Sequence, residues 1–252
     1  MIPPIKNFNW DKNVSQMFGV NKGTYFPRFN IPGHNGLDIY VLPDSYGVEV
    51  LATHDGIINT LQFDDPTRKS GNGILMQGYD ENGNYVQTLY WHLSRFNVQL
   101  GQQVKAGEVI GYIGNTGFVM PSPSPSCPHC GAHLHFGVSR IKIVPPGTWN
   151  TEFVKTDYGS FCDPTPFLFK EGNKLPIRFF RDLFIGREGD DVSWLQTVLK
   201  IEFPDVPFEP IGIFGNQTRI AVQRLQRKYG INPVFGYVGT KTRSYLNSKY
   251  SN

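Results

Sequence analysis

The chain has 252 residues, enough for one or two domains with a sizeable apolar core. Hydrophobic residues make up 39% of it and aromatic residues 14%, a composition that excludes a largely disordered protein. Its 24 basic and 21 acidic residues leave a net charge of +3, which is too balanced to indicate nucleic-acid binding. The 27 Gly and 19 Pro residues favour a turn-rich β protein over a helix bundle.

The first 170 residues predict a series of short β-strands. The segments 48–53, 57–61, 73–77, 85–91 and 108–113 are rich in β-branched or aromatic residues, and Val104 marks a shorter one. Turn signals that end in Gly56 and Gly83 separate them, and nothing longer than a turn or two has a helical pattern. We therefore predict a mainly β domain over residues 1–170, built on an antiparallel β-sheet.

Beyond residue 170 the hydrophobic period becomes helical. Residues 170–176 have the composition of a linker, and apolar residues then recur at helical spacing in 191–199 and 218–229. The segment 212–219 recurs as 236–243, and each copy places a Gly-bounded turn before a helix N-terminus. These patterns predict a linker and a small all-α domain over residues 171–252.

Two short segments that contain histidine suggest a metal site. One is His34-Asn-Gly-Leu-Asp38 and the other is His133-Leu-His135. A catalytic zinc ion takes three protein ligands and keeps a fourth position open. Side chains two apart in a strand share a face, so His133 and His135 can point into one cavity while Asp38 supplies a carboxylate. The chain has no His-Glu-x-x-His motif, which excludes a helix-borne zinc protease.

Taken with their neighbours, these groups give the sequence a close resemblance to the lysostaphin-like zinc peptidoglycan endopeptidases. The resemblance spans about residues 14–169, with the family's motifs in the family's order. The motifs are Gln16-x-Phe18-Gly19, Gly33-His34-Asn35-Gly36-Leu37-Asp38, Val50-x-Ala52-x-x-Asp55-Gly56, Tyr90-Trp91-His92-Leu93-Ser94, Gly101-Gln-x-Val104, Gly114-Asn-Thr-Gly117, His133-Leu-His135-Phe136 and Asp163-Pro-x-Pro-Phe-Leu168.

The resemblance implies a role for five residues. It implies that His34, Asp38 and His135 bind Zn²⁺ in a groove of the antiparallel sheet. His92 and His133 would be catalytic histidines that do not bind the metal, and which of them is base and which is acid stays open. The alternative for His92 is a structural role beside Trp91. We expect His54, which precedes an Asp-Gly turn, to be a surface turn residue outside the site.

The last part of the chain resembles the small helical peptidoglycan-binding domain that accompanies wall hydrolases. The similarity includes Gly189-Asp-Asp-Val192, Leu195-Gln196, Gly212-x-Phe214-Gly215, Leu225-Gln226 and Gly236-x-Val238-Gly239. Both repeats lack the Asp that often precedes Gly in that family, so the ligand contacts stay unassigned. We expect Trp194, Leu195, Leu199, Leu225 and Leu246 to form its core. A tethered module of this kind is expected to leave hydrolysis of a soluble peptide nearly unchanged when residues 171–252 are removed.

The resemblance implies a zinc endopeptidase that hydrolyses peptide cross-links of bacterial peptidoglycan and is held on the wall by its second domain. One alternative is a catalytically inactive wall-binding or activator module, and the presence of all five site residues argues against it. The other is a zinc peptidase that acts on non-wall peptides. The bond that is cleaved, and a bacterial or phage origin, stay open.

Peptidoglycan is the expected partner, and we expect a monomer that binds no nucleic acid. The longest uncharged stretch, residues 109–139, is rich in Gly, Pro and Ser, so no membrane span is expected. Wall hydrolysis implies an extracellular or cell-wall location. Residues 1–6 lack the pattern of a signal peptide, so we expect a trimmed sequence or another export route.

Compared with the family, the chain has an insertion, residues 118–132, before His133. We expect this Pro- and Ser-rich loop to overhang the groove and to alter substrate choice. The loop carries Cys127 and Cys130, and the third cysteine is Cys162. A disulfide from Cys162 to Cys127 or Cys130 that ties the loop down is the preferred prediction. The alternatives are a second structural zinc site with His129, or a free Cys-x-x-Cys pair.

Overall fold

The computed structural model describes residues 1–67, 69–142 and 152–251. Within these ranges the chain forms a larger and a smaller β-sheet, and most of its helical residues follow the last strand. The strands are β1 (Val14–Gln16), β2 (Leu37–Ile39), β3 (Glu49–Leu51), β4 (Gly56–Gln62), β5 (Gly73–Tyr79), β6 (Tyr85–Trp91), β7 (Leu93–Phe96), β8 (Gln103–Val104), β9 (Val109–Ile113), β10 (Leu134–Arg140) and β11 (Phe161–Cys162). The helices are α1 (Trp10–Asn13), α2 (Lys22–Phe29), α3 (Thr165–Leu168), α4 (Asp190–Glu202), α5 (Asn216–Lys228) and α6 (Thr240–Tyr250).

The larger sheet forms the centre of the first domain. Its strand order is β1-β2-β10-β6-β5-β4-β8, every neighbouring pair is antiparallel, and β11 also pairs with β10. Strand β10 lies between β2 and β6 and is buried along almost its whole length. Residues carried by β2, β10 and the end of β6 therefore lie side by side.

The smaller sheet has the order β3-β9-β7 and packs apolar side chains into the same core. Val50, Leu93 and Ile110 are among the fully buried residues that it contributes. The strands include every segment that the sequence predicted as β, so the mainly β antiparallel fold is confirmed. Helix α2 was not predicted. It has only eight residues and contains Gly23 and Pro27, both of which disfavour a helix, so its composition argued against it.

Helices α4, α5 and α6 form the second domain, which confirms the predicted all-α fold. The expected core residues Leu195, Leu199, Leu225 and Leu246 are fully buried, and Trp194 is partly buried against them. Helices α5 and α6 begin directly after Gly215 and Gly239, as the sequence repeat predicts. None of the helices in the described ranges has both the length and the apolar character needed to cross a membrane.

A buried glutamine holds each copy of the repeated turn. Gln196 and Gln226 lie on the helix that precedes each turn and are 1% and 2% exposed. Each accepts one hydrogen bond from a turn N–H and donates to a turn carbonyl and a threonine hydroxyl. The partners of Gln196 are Gly212 N, Ile213 O and Thr218 Oγ1, and those of Gln226 are Gly236 N, Tyr237 O and Thr242 Oγ1, all at 2.9–3.1 Å.

The helical region packs directly against the β region. Buried apolar side chains from both form one continuous cluster. Ser193 Oγ of α4 donates to the Gly19 carbonyl at 2.9 Å, in the loop that follows β1. Two further buried hydrogen bonds join Thr197 Oγ1 to Asp163 Oδ2 at 2.7 Å and Tyr158 OH to the Pro210 carbonyl at 2.9 Å. The helical region is therefore packed against the β region in addition to being joined to it by the predicted linker.

Candidate metal centre

Strand pairing brings His34, Asp38 and His135 together. Asp38 in β2 and His135 in β10 are directly opposite each other in the antiparallel register. His34 lies in the loop just before β2 and is fully buried. Its backbone exchanges hydrogen bonds with Gly19 N and Val20 O, both at 2.8 Å, which fixes the loop against the segment that follows β1.

Two glycines allow the close approach of this loop. A Cβ on Gly33 would lie 2.6 Å from the Gly19 carbonyl oxygen, and a Cβ on Gly36 would lie 2.6 Å from Nε2 of His135. Both distances are far shorter than a van der Waals contact. A side chain at either position would therefore displace one of the clustered histidines.

The three candidate ligand atoms form a nearly equilateral triangle. His34 Nε2 and His135 Nδ1 each lie 3.0 Å from Asp38 Oδ1, and 3.1 Å from each other. A tetrahedral zinc ion with ligand distances of about 2.0–2.1 Å would separate its ligand atoms by about 3.4 Å. Two imidazole nitrogens and one carboxylate oxygen are also ligands that zinc accepts. The triangle thus fits zinc with little adjustment.

The protonation of the ligands suits a metal. His34 Nδ1 lies 3.2 Å from the Met17 carbonyl, which can only accept, so Nδ1 donates and Nε2 carries the lone pair. Burial lowers the pKa of His135 to about 4 although Asp38 opposes the shift, so this ring is neutral at pH 7. Burial alone would raise the pKa of Asp38, but the histidines around it outweigh burial and hold that pKa well below its usual range.

His92 and His133 lie beside this triangle and line the same cavity. Their ring centres are 4.7 Å apart, and His133 Nε2 is 3.6 Å from Asp38 Oδ1. His92 follows β6 directly and has a φ of 64°, an unusual conformation for a non-glycine residue that turns the chain at the strand end. Sequence analysis placed all five residues in one site, and the structure places their side chains together.

Both of these histidines are held through Nδ1. His92 Nδ1 donates to the Thr116 carbonyl at 2.8 Å, and His133 Nδ1 donates to the Gly131 carbonyl at 2.8 Å. In each neutral ring Nε2 is therefore the atom with the free lone pair. Burial, reinforced by His133 and His135, lowers the pKa of His92 to about 3, so His92 is neutral at pH 7.

The structure adds residues that sequence analysis did not assign to the site. The Trp91 ring stacks on His135 with centres 5.0 Å apart, and Tyr25 of α2 lies 5.3 Å from the His34 ring. Burial and the nearby Asp38 raise the pKa of Tyr25, so its hydroxyl keeps its proton. Tyr25 was missed because it lies on a short helix that contains Gly23 and Pro27, whereas Trp91 directly precedes His92 in a recognised motif.

The inserted loop lies at the edge of the cavity, as expected. Phe118, Val119 and Met120 at its start and Gly131 and Ala132 at its end line the cavity.

The predicted cysteine pairing is wrong. Cys127 is bonded to Cys130, and Cys162 is a buried free thiol on β11. A tight turn brings Cys127 and Cys130 within 5.3 Å between Cα atoms, whereas Cys162 is fixed opposite Val138 by strand pairing. His129, offered as a ligand of a second zinc site, instead bonds Asp44 Oδ2 at 2.6 Å.

The expectation for His54 is also wrong. This residue is 5% exposed rather than a surface residue. Its Nδ1 donates to the Asp55 carbonyl at 2.8 Å, and its Nε2 accepts from Thr88 Oγ1 at 3.1 Å. His54 therefore fixes the turn before β4 to β6, and it takes no part in the metal centre.

Comparisons with known proteins give a consistent result. Residues 32–146 match the family profile described as Peptidase family M23, and residues 188–246 match the one described as Putative peptidoglycan binding domain. Glycyl-glycine endopeptidase ALE-1 of Staphylococcus capitis is 34% identical over 128 residues, which are 51% of this chain and 30% of that protein. DD-carboxypeptidase/endopeptidase Mpg of Neisseria meningitidis is 36% identical over 123 residues, which are 49% of this chain and 23% of that protein.

The match thus spans less than a third of the length of these curated relatives.

Among solved structures, the catalytic domain of the antimicrobial peptidase lysostaphin from Staphylococcus simulans aligns with a TM-score of 0.40 and 25% identity, covering 61% of this chain and 90% of that chain. The residues of the triangle lie within the first matched profile and the three long helices overlap the second. One segment of the chain, residues 32–146, thus matches Peptidase family M23, and a later segment, residues 188–246, matches a putative peptidoglycan-binding domain.

Proposed function

We propose that this protein is a zinc endopeptidase that hydrolyses peptide cross-links of bacterial peptidoglycan. The observation that carries the proposal is the placement of His92 and His133 beside the His34–Asp38–His135 triangle in one open cavity. In the proposal the peptidase domain is residues 1–170, and residues 171–252 hold the enzyme on the wall. Its place of action is accordingly the cell wall or the extracellular space.

In this proposal His34 Nε2, Asp38 Oδ1 and His135 Nδ1 hold the metal. Bound there, zinc supplies a Lewis acid that polarises the scissile carbonyl and acidifies a water molecule. The Met17 carbonyl keeps His34 in the tautomer that leaves Nε2 free. The Trp91 ring stacks on the His135 ring and so fixes its orientation. Met17 and Trp91 therefore hold the two histidines in the orientation that metal binding needs.

His92 acts as the general base. Its Nδ1–H bond to the Thr116 carbonyl leaves the Nε2 lone pair free to accept the proton of the attacking water. His133 Nε2 lies on the same side of the cluster, 3.6 Å from Asp38 Oδ1, and in the protonated ring it can donate a hydrogen bond to the substrate carbonyl oxygen or a proton to the departing amine. Sequence analysis left open which histidine is the base and which is the acid, and this assignment is part of the proposal.

The test is digestion of purified, insoluble peptidoglycan followed by mass spectrometry of the released fragments. The zinc-loaded protein is expected to release peptides with new amino termini, and a chelator is expected to stop the release until zinc is restored. An unfolded protein substrate such as reduced casein serves as the comparison. Cleavage of casein without cleavage of wall would favour the non-wall peptidase, and wall binding without any cleavage would favour the inactive module.

A further inference from the structure

The cavity over the metal centre is bordered by two segments that stand outside the β-sheets. Helix α2 contributes Tyr25, Arg28 and Phe29, and the inserted loop contributes Phe118 through Met120. The cavity holds about 750 Å³, within the range of pockets that bind a short peptide or a drug-sized molecule. The side chains that α2 and the inserted loop place in the cavity therefore determine which peptide it can bind.

Two cationic side chains connect these segments. Lys69, in the β4–β5 loop, has its ammonium 4.5 Å from the centre of the Phe29 ring on α2. Arg28 of α2 has its guanidinium carbon 5.9 Å from the centre of the Phe118 ring. The Phe118 N–H also donates to the Lys69 carbonyl at 2.7 Å. Ring contacts of this kind position a cation but leave its N–H donors available.

The positive charges of Arg28 and Lys69 are not balanced within the cavity. Neither forms an ion pair with a carboxylate in the described part of the chain. Asp38 is the one acidic residue among those that line the cavity, and it belongs to the candidate metal triangle. Asp64 and Asp65 share the β4–β5 loop with Lys69 but do not line the cavity.

About half of the other cationic side chains in the described part of the chain form an ion pair with a carboxylate. Such pairs are Lys6–Glu49, Lys22–Glu188, Lys105–Asp55, Lys170–Glu81, Arg181–Asp191, Arg224–Asp205 and Lys228–Glu202. Arg28 and Lys69 are distinguished by their place, because both line the cavity over the candidate metal triangle, where Asp38 is the one acidic residue. Their donors are free for an anion that the substrate brings.

We infer that the groove selects an acidic peptide and that Arg28 and Lys69 bind a free carboxylate of the substrate beside the scissile bond. This inference rests on the proposed function and specifies its substrate class. A cross-linked stem peptide with free carboxylates fits the groove, whereas a bridge made only of glycine offers no charge to either cation. Arg28 provides a planar pair of N–H donors for a carboxylate, and Lys69 adds a second charge.

The test compares three soluble probes with the zinc-loaded full chain. The probes are a directly cross-linked stem-peptide dimer with free carboxylates, the same dimer with those carboxylates amidated, and pentaglycine capped as the N-acetyl C-terminal amide so that it carries no charge. The expected order of kcat/KM is free dimer, amidated dimer, pentaglycine. The double variant Arg28→Gln/Lys69→Gln is expected to raise KM for the free dimer about tenfold and to change the amidated dimer by less than about twofold.

Matched variants separate charge from structure. Lys22→Gln removes a charge from the same helix outside the cavity and is expected to leave all three rates unchanged. Arg28→Lys keeps the charge and is expected to retain most of the preference. Preference for the amidated dimer or for pentaglycine, or an equal loss on both dimers in the double variant, would overturn the inference while leaving the proposed function intact. A wild-type protein that cleaves no probe and no wall would overturn both.

Discussion

At the scale of single residues, the site depends on which ring nitrogen of each histidine faces a backbone carbonyl. His34, His92 and His133 all donate through Nδ1 to a carbonyl, so each presents Nε2 to chemistry. His135 differs because its Nδ1 lies toward Asp38 and His34. His34 therefore faces the candidate metal triangle with Nε2, and His135 faces it with Nδ1. The rings of His92 and His133 are held beside the triangle by their Nδ1 hydrogen bonds to backbone carbonyls.

The proposed ligands give the first prediction. His34→Ala, Asp38→Ala and His135→Ala are each expected to lose zinc on dialysis against a weak chelator, because two remaining ligands bind far less tightly than three. Zinc per chain is measured by elemental analysis. The control is His129→Ala, an exposed histidine paired with Asp44, which should keep its metal. Full zinc in all three ligand variants would contradict the assignment.

The proposed base gives the second prediction. His92→Asn is the appropriate substitution because Asn tolerates the positive φ of this position better than Ala does. This variant should keep its zinc and lose about a hundredfold or more in kcat on a soluble peptide, as expected when a general base is removed. Normal turnover, or loss of the metal, would show that His92 has another role.

At the scale of elements, the repeated turns of the helical domain depend on buried side-chain amides. Gln196 and Gln226 each complete two hydrogen bonds to the turn and one to a threonine hydroxyl at the start of the next helix. The turns begin at Gly212 and Gly236, both with positive φ. The sequence repeat identified the turns and the helix starts but not the glutamines, which are on the preceding helices and contact the turns only after packing.

The third prediction concerns these amides. Gln196→Leu and Gln226→Leu should each lower the free energy of unfolding by roughly 2–3 kcal/mol, because the turn N–H, carbonyl and threonine hydroxyl lose their buried partners. The measurement is the urea midpoint at constant slope. Gln217→Leu, on the exposed face of α5, is the matched control and should change stability by less than about 0.5 kcal/mol. Equal effects at all three positions would refute the role.

Elements with a local pattern were the ones that sequence analysis predicted. Strands β3 to β6 are runs rich in β-branched or aromatic residues between turn signals, and helices α4 and α5 have apolar residues at helical spacing. Helix α2 is short and contains Gly23 and Pro27, so it was not predicted, and its Tyr25 and Arg28 were not assigned to the site. The cysteines show the same limit. Spacing alone did not reveal that the chain turns tightly enough between Cys127 and Cys130 to join them.

At the scale of the whole molecule, the helical domain contacts the segment that supports a candidate zinc ligand. Ser193 Oγ donates to the Gly19 carbonyl, and Gly19 N in turn donates to the His34 carbonyl. The Asp190 carboxylate accepts from the Asn21 backbone N–H at 3.0 Å, just before α2. The domain that was expected only to hold the enzyme on the wall thus also braces the entry to α2 and the His34 loop.

The last prediction follows from this bracing. Removing residues 171–252 should expose part of a shared apolar core, so the remaining domain should melt at a lower temperature and bind zinc more weakly. Within the full chain, Ser193→Ala should cost about 1 kcal/mol, because it removes a buried hydrogen bond. Ser244→Ala, exposed on α6, is its control. Calorimetry measures the melting of the full and truncated chains, and zinc titration measures their zinc affinity. Two independent melting transitions in the full chain, with the same zinc affinity after truncation, would show that the helical domain does not stabilise the metal centre.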